Sequence, residues 1–344
     1  MSISTVAHSP KEFQFLIAEQ DAFGTFEGTN PFHSLDVDSV GTPSLNPTQV
    51  LDVRTGARVL QAKDFFQDVK ASVKEMSISG TATTDALDML LANIMGEAEG
   101  DATGVYTVAS NVTANSMSVG VGSSSLADKL LSVVIKSPES SRASGDNADM
   151  AFKDCVVTSL TLNGDTGTEG GRIKFSATLQ TGSVVHDLVD AATTVTTAFG
   201  ADENYFMTDW AAAYRKIYGV ANLVMSSFTL TLENPATFSG VTSTGYEVVT
   251  RAGEFSATLD ATVKYDDNTE DFFNKLNLQT ENSSVAAQET LLDNNGTLAN
   301  GAFGIKMLKT FLTNVAFNEA DVMMLDVSVK AVGNGSDALV EVAC

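Results

Sequence analysis

Residues Phe255, Ala257, Leu259, Ala261 and Val263 alternate without a break with Glu254, Ser256, Thr258, Asp260, Thr262 and Lys264. Side chains on an extended strand point to opposite faces with a period of two, so this run specifies one long strand with a buried face and a wet one. A helix cannot carry the pattern, because its apolar positions return every three or four residues. The run belongs to a longer stretch, Ser226 to Leu276. That stretch opens with SSFTLTLEN, in which Phe228, Leu230 and Leu232 share a face, and continues through a turn-rich connection to a strand over 253–265. A helix is expected next, over 270–278, with Phe272, Phe273 and Leu276 as its apolar side. Asp267, Asn268 or Thr269 stands where an N-cap belongs, and Lys275 near the negative end of the helix.

An earlier stretch echoes this one. CVVTSLTLN, a Gly-rich turn and GGRIKFSATLQTG predict an antiparallel hairpin over Cys155 to Gly182. Two alignments of the halves compete. One sets KFSATLQT on EFSATLDA. The other sets VKEMSISGTATTDALDMLLANI on GEFSATLDATVKYDDNTEDFFNKL, strand then cap then helix, and it is preferred because the order of four elements is kept. In the first half a strand is expected over 65–79, its alternation changing phase near Lys74 as a β-bulge would make it. A helix over 84–95 follows, with Leu87, Leu90, Leu91 and Ile94 on one side and Gly96 to stop it. Further strands are expected over 13–18, 130–136, 303–312 and 322–332, and Trp210, Tyr214 and Ile217 have the spacing of a short amphipathic helix. The fold class is therefore mainly β, a β-sandwich or barrel with flanking helices, in two tandem units. Residues 1–63 form an extended N-terminal arm belonging to the first unit, 64–200 the first β domain and 201–344 the second.

The chain is 344 residues long, and its 20 basic against 43 acidic side chains leave a net charge of −23. Tight binding to nucleic acid needs a basic surface that releases counterions, so the balance argues against it. The same charge suits a surface that repels DNA. No apolar run reaches the length needed to cross a membrane, and the N-terminus lacks the basic and apolar regions of a signal peptide. Two cysteines, Cys155 and Cys344, do not make a disulfide framework.

No constellation for catalysis or metal binding stands out. His8, His33 and His186 lie in unrelated contexts without ligand spacing. Gly120-Val121-Gly122 lacks the third glycine and the lysine of a phosphate loop. The acidic run Asp266 to Asp271 lacks the alternate-position ligands, central glycine and distant glutamate of a calcium loop, and helix capping explains it. An enzyme is not expected, and neither is a cofactor. The polar face Glu254, Ser256, Thr258, Asp260 and Thr262 is the candidate functional surface, facing either a lumen or a neighbouring subunit.

The order of these blocks resembles the major tail tube proteins of long-tailed, non-contractile bacteriophages, of the type with two tube domains. AEQDAFGT and the extended arm, SGTATTDALDMLLANIMG, KDCVVTSLTLN with GGRIKFSATLQTG, and SSFTLTLEN with FSATLDATV carry the resemblance across most of the chain. It implies a structural subunit that assembles with itself into stacked rings, trimeric with pseudo-hexameric symmetry. The stack forms a hollow, acidic-lined conduit through which DNA passes without specific binding. Other tail proteins would meet the tube at its ends. Such a subunit resides in the virion tail, passing through the host cytoplasm during assembly, and needs no membrane. The arm and the loops 100–125 and 279–300 are candidates for ring-to-ring contacts. Another subunit of a tail tip or tube-like injection machine, or a non-viral β-sandwich binding module, is the alternative.

Overall fold

The computed structural model describes residues 12–27, 30–41, 48–51, 65–68, 72–96, 104–109, 118–120, 130–136, 150–183, 186–187, 197–198, 204–242, 245–251, 253–278, 288–319, 322–335 and 337–344. The strands that carry the architecture are β1 (Gln14–Gln20), β2 (Phe32–Leu35), β3 (Val37–Val40), β4 (Lys74–Thr81), β5 (Leu130–Lys136), β6 (Met150–Asp165), β7 (Lys174–Thr181), β8 (Met225–Glu233), β9 (Ser256–Lys264), β10 (Thr310–Glu319) and β11 (Met323–Ala331). Two α-helices are described, α1 (Thr84–Met95) and α2 (Asp271–Leu278).

The main layer is an antiparallel run in the order β3-β4-β7-β6-β8-β9-β11-β10. Its apolar face includes Ile78, Ala177, Leu160, Leu232, Leu259 and Val329. A second, five-stranded sheet contributes Ile305, Val342, Leu292 and Tyr106 to the same core. Two sheets sharing one apolar interior make a β-sandwich. The alternation over Ser256–Lys264 holds at every position: Ala257, Leu259, Ala261 and Val263 are buried and the residues between them are not. The barrel alternative is not realised in this chain. Among the described residues the sheets stay open, with β3 and β10 as the terminal strands of the main run.

Strand β6 is the spine. Its first residues pair with β5, which pairs with β1, whereas its later residues lie between β7 and β8. The change of partner needs a break in register, and one occurs between Phe152 and Cys155. Asp154 there takes a left-handed backbone, φ 54°. That conformation costs a non-glycine residue on the order of 1 kcal/mol, least for Asp and Asn. A buried network holds it. Gln20 Nε2 and the Gly24 N–H each donate to Asp154 Oδ1 at 2.7 Å, and Ser183 Oγ donates to Oδ2 at 2.7 Å. Gln20 Oε1 in turn accepts the Asp154 N–H at 3.0 Å. The AEQDAFGT stretch is thus a polar plug for the bulge of β6.

Helix α1 spans 84–95 as its periodicity predicts, and Gly96, at φ 80°, closes it in the left-handed conformation with its N–H on the Ala92 carbonyl. Thr83 occupies the N-cap position without a side-chain cap bond. The next two orphan carbonyls at the C-terminus find donors far along the chain. Arg251 Nη2 donates to Asn93 O at 3.2 Å, and Asn234 Nδ2 to Ile94 O at 2.7 Å. Arg251 Nη1 also donates to Val157 O and Asn234 O, at 2.7 and 2.5 Å. Burial pushes the guanidinium pKa down from its usual range, yet four oxygen acceptors and the negative helix end favour the charged form.

Several expected elements differ. The strand expected over 65–79 is two strands, Phe65–Asp68 and β4, with 69–71 outside the described residues. The bulge expected near Lys74 or Glu75 is not seen in the pairing of β4 with β7, whose register is unbroken from Lys74 to Thr81. The strand expected over 303–312 is divided between Gly304–Met307 and β10. The helix expected around Trp210 is replaced by two 3₁₀ turns, Met207–Asp209 and Ala212–Tyr214. Tertiary partners outcompete local helix bonds there: the Ala211 N–H donates to Asp293 O, Trp210 Nε1 to Phe303 O at 2.8 Å, and Arg215 to Trp210 O. Hairpin Ala236–Thr242/Gly245–Arg251 and strand Ala338–Ala343 were not anticipated.

Both layers draw on residues before and after position 200. Strand β6 pairs with β8, and Val105–Ala109 pairs with Ala338–Ala343. Strand β4 leads into α1 and β9 into α2, and the two lie four places apart in the alternating run and so point the same way, the order that the strand–helix alignment expects. Strands β7 (KFSATLQT) and β9 (SATLDATVK) lie three places apart and point oppositely. Replacing Arg251 by Met should remove the donors to α1 while leaving carbonyls buried. We expect a loss of about 2–4 kcal/mol in unfolding free energy by denaturant titration, with an unchanged denaturant slope if the fold is kept.

Candidate functional site

The face of the main layer opposite the core is built from the alternate residues of every strand. Direct cross-strand partners share a face, so the registers trace rows across it. One row runs Ser39, Ser79, Ser176, Thr161, Thr231, Thr258, Lys330. The next runs Lys174, Asn163, Thr229, Asp260, Ser328, Asn314. A third runs Asp165, Ser227, Thr262, Asp326, Ala316. Short hydroxyl side chains dominate, and they are the β-compatible way to make a strand face polar.

Of the five residues singled out in the sequence, Ser256, Thr258, Asp260 and Thr262 lie on this face of β9. Glu254 is exposed but precedes the strand, which begins at Ser256 rather than 253. The structure adds neighbours that one strand alone could not reveal. Thr262 Oγ1 donates to Asp326 Oδ1 at 2.7 Å, and Asn318 Nδ2 donates to both oxygens of Asp326, at 3.1 and 3.0 Å. A depression lined by Thr229, Asp260, Thr262, Asn318, Asp326 and Ser328 sits here. Asp326 was legible as a polar position in MMLDVSVKAV, but its place beside Thr262 depends on the β9–β11 register.

The face carries both signs of charge. Glu75, Asp165, Glu233, Asp260 and Asp326 stand with Lys174, Lys264 and Lys330. Lys174 bonds Glu169 at 2.8 Å at the end of the strand, and that hydrogen bond holds the Glu169 carboxyl below its ordinary pKa and the Lys174 amine above its own. The surface is therefore hydroxyl-rich with a modest acidic excess, rather than a wall of carboxylates.

Chemistry of other kinds finds little purchase. Among the described residues no group of three His, Cys, Asp or Glu side chains is placed to hold a metal ion. The acidic run before α2 is a capped turn: Asp266 Oδ1 accepts the N–H groups of Asn268 and Thr269, and Thr269 Oγ1 accepts the Asp266 N–H. His33 lies 3.3 Å from Asp85 in the first turn of α1, and His8 is outside the described residues. Cys155 and Cys344 are buried and free. Burial, with Asp154 beside one thiol and Asp88 beside the other, pushes both thiol pKa values up, away from the reactive thiolate.

Among the described residues the main layer is an open antiparallel sheet with a hydroxyl-rich outer face. The family model for phage tail tube proteins matches residues 13–331, nearly the whole chain. The chain belongs to the phage tail tube protein family. A search of curated proteins returned no match. Membership makes this tail tube protein a structural subunit of the virion tail, and implies assembly with copies of itself and with other tail proteins. The face assignment is testable in the isolated tail tube protein. Asp260→Lys should leave unfolding free energy within about 0.5 kcal/mol of the parent. Leu259→Ala, one residue away on the buried side, should lower it by about 2–5 kcal/mol.

Proposed function

We propose that copies of this tail tube protein close side by side into rings, that the rings stack, and that the stack is the conduit for DNA. The observation that carries this reading is the main antiparallel layer, with its hydroxyl-rich face and its two open ends at β3 and β10. An unpaired strand edge is a template for another chain, and closing the layers of neighbouring copies into a ring removes every edge. The halves 64–200 and 201–344 act as two related tube units with 1–63 as an arm, so three copies make a ring with pseudo-hexameric symmetry. Strands β4 and β9, each leading into a helix and pointing the same way four places apart in the run, support that reading, since a rotation about the ring axis keeps strand direction.

The hydroxyl-rich face, including Ser256, Thr258, Asp260 and Thr262, lines the lumen. Serine and threonine side chains carry no charge, the carboxylates named on this face outnumber its lysines, and the acidic excess of the whole chain, 43 against 20, keeps DNA from adhering. Rings assemble in the host cytoplasm before the tail is completed, with other tail proteins at the tube ends. The structure narrows the ring-to-ring candidates, because β1, β2 and β3 of the arm pair into the main sheet and Val105–Ala109 and Thr290–Leu292 are strands of the second. The remaining residues of the arm and of 100–125 and 279–300, partly outside the described residues, are the candidates for contact between rings.

Electron microscopy of the purified protein should show rings with three-fold symmetry and stacked tubes, and a persistent monomer at all concentrations would refute the reading. If the hydroxyl face is luminal, Asp260→Lys tubes should form normally and release DNA more slowly in an ejection assay. Unchanged ejection would place that face elsewhere.

A further inference from the structure

Among the described residues the large hydrophobic side chains left exposed are Val73, Val224, Val241, Phe317, Val322 and Met323. They sort to the two ends of the main layer. Val224, Phe317, Val322 and Met323 collect where β8 starts, β9 finishes and the β10–β11 hairpin turns. The Lys264 N–H donates to Val224 O and the Tyr265 N–H to Met323 O, which ties three of these strand ends together. Met323 pairs with Glu319 and Phe317 with Leu325 across the hairpin.

This rim is held rigidly. Phe317 packs edge-on against Tyr265, with ring centroids 5.5 Å apart, and tilted against Phe273 of α2 at 5.0 Å, yet it remains 52% exposed. Val322 is 55% exposed and Met323 47%. At the opposite end, Val73 directly precedes Lys74, which pairs with Thr181 at the finish of β7. Val241 lies on the hairpin whose Gly245 bridges Ser183, two residues further on. That hairpin is docked: Phe238 and Tyr246 pack over Gly182, where a Cβ would strike both rings.

We propose that the rim of Val224, Phe317, Val322 and Met323 is a docking surface for a second copy of this chain, which it meets at the end carrying Val241 and Val73. The inference rests on the tube reading and assigns its stacking contact. Two apolar surfaces at opposite ends of one layer make a head-to-tail contact, which repeats without closing and so builds a filament. A foreign partner would need only one of them. Apolar residues grouped on a rigid edge and rimmed by charge, here Glu319, Lys264 and Glu270, mark an interaction site rather than chance exposure.

The test compares wild-type protein, a Val322→Asp/Met323→Asp variant and a Val241→Asp variant by electron microscopy and light scattering, with melting curves to establish folding. Both variants should melt like the parent and form single rings, and the protein concentration needed for tube growth should rise about tenfold or more. Mixed together, each variant retains one intact end, so pairs of rings should form and growth should stop there. Tubes of normal length from either variant would overturn the proposal. A folded rim variant that cannot close rings would also overturn it, by making the rim a lateral contact. Wild-type protein that forms neither rings nor tubes would refute the tube reading itself, and the docking surface with it.

Discussion

Everything in this protein hangs on the antiparallel pairing of β6 with β8. Leu160 faces Leu232 and Leu162 faces Leu230 across that pair, and all four are buried. Each flanking strand on either side takes its register from this seam, because an antiparallel strand one residue out of step would turn its entire apolar set to solvent. The seam makes one layer of segments that lie far apart in the chain. It also gives the hydroxyl face its continuity from Ser39 to Lys330, which no single hairpin could provide.

Strand β6 serves two runs of strands, β5 and β1 at its start and β7 and β8 further on, and the Asp154 bulge is the device that permits it. The carboxylate, Gln20, Gly24 and Ser183 form a closed hydrogen-bonded set around a residue with an unfavourable backbone. Arg251 ties elements together at the other side of the seam through its two terminal nitrogens, while its Nε is buried without an acceptor. It satisfies the end of α1 with donors from the hairpin that follows β8, so the helix of the first half is completed by the second. Buried polar groups of this kind are costly when any partner is missing, and so they lock the relation between halves.

The hydroxyl face and the apolar rim divide the surface between two tasks. Serine and threonine make the face polar without adding charge to it, which is what the proposed luminal role needs. The rim offers the reverse, dry contact without charge.

Much of this was legible in the primary structure. The alternation at 255–264 identified the buried and wet sides of β9 correctly, and the periodicity with Gly96 identified α1, because both depend on local geometry alone. The family resemblance was carried by blocks whose roles are now physical: AEQDAFGT plugs the β6 bulge, and KFSATLQT and FSATLDATV flank the seam. The helical spacing around Trp210 yielded to hydrogen bonds from Trp210 to Phe303 and from Ala211 to Asp293, far along the chain. Asp326 could be seen as polar but not as the partner of Thr262, and Arg251 gave no sign of its burial. Period-two patterning determines which side of a strand is wet. Only the tertiary structure decides which strands lie side by side, because pairing is set by contacts between distant segments whose strengths no local pattern encodes.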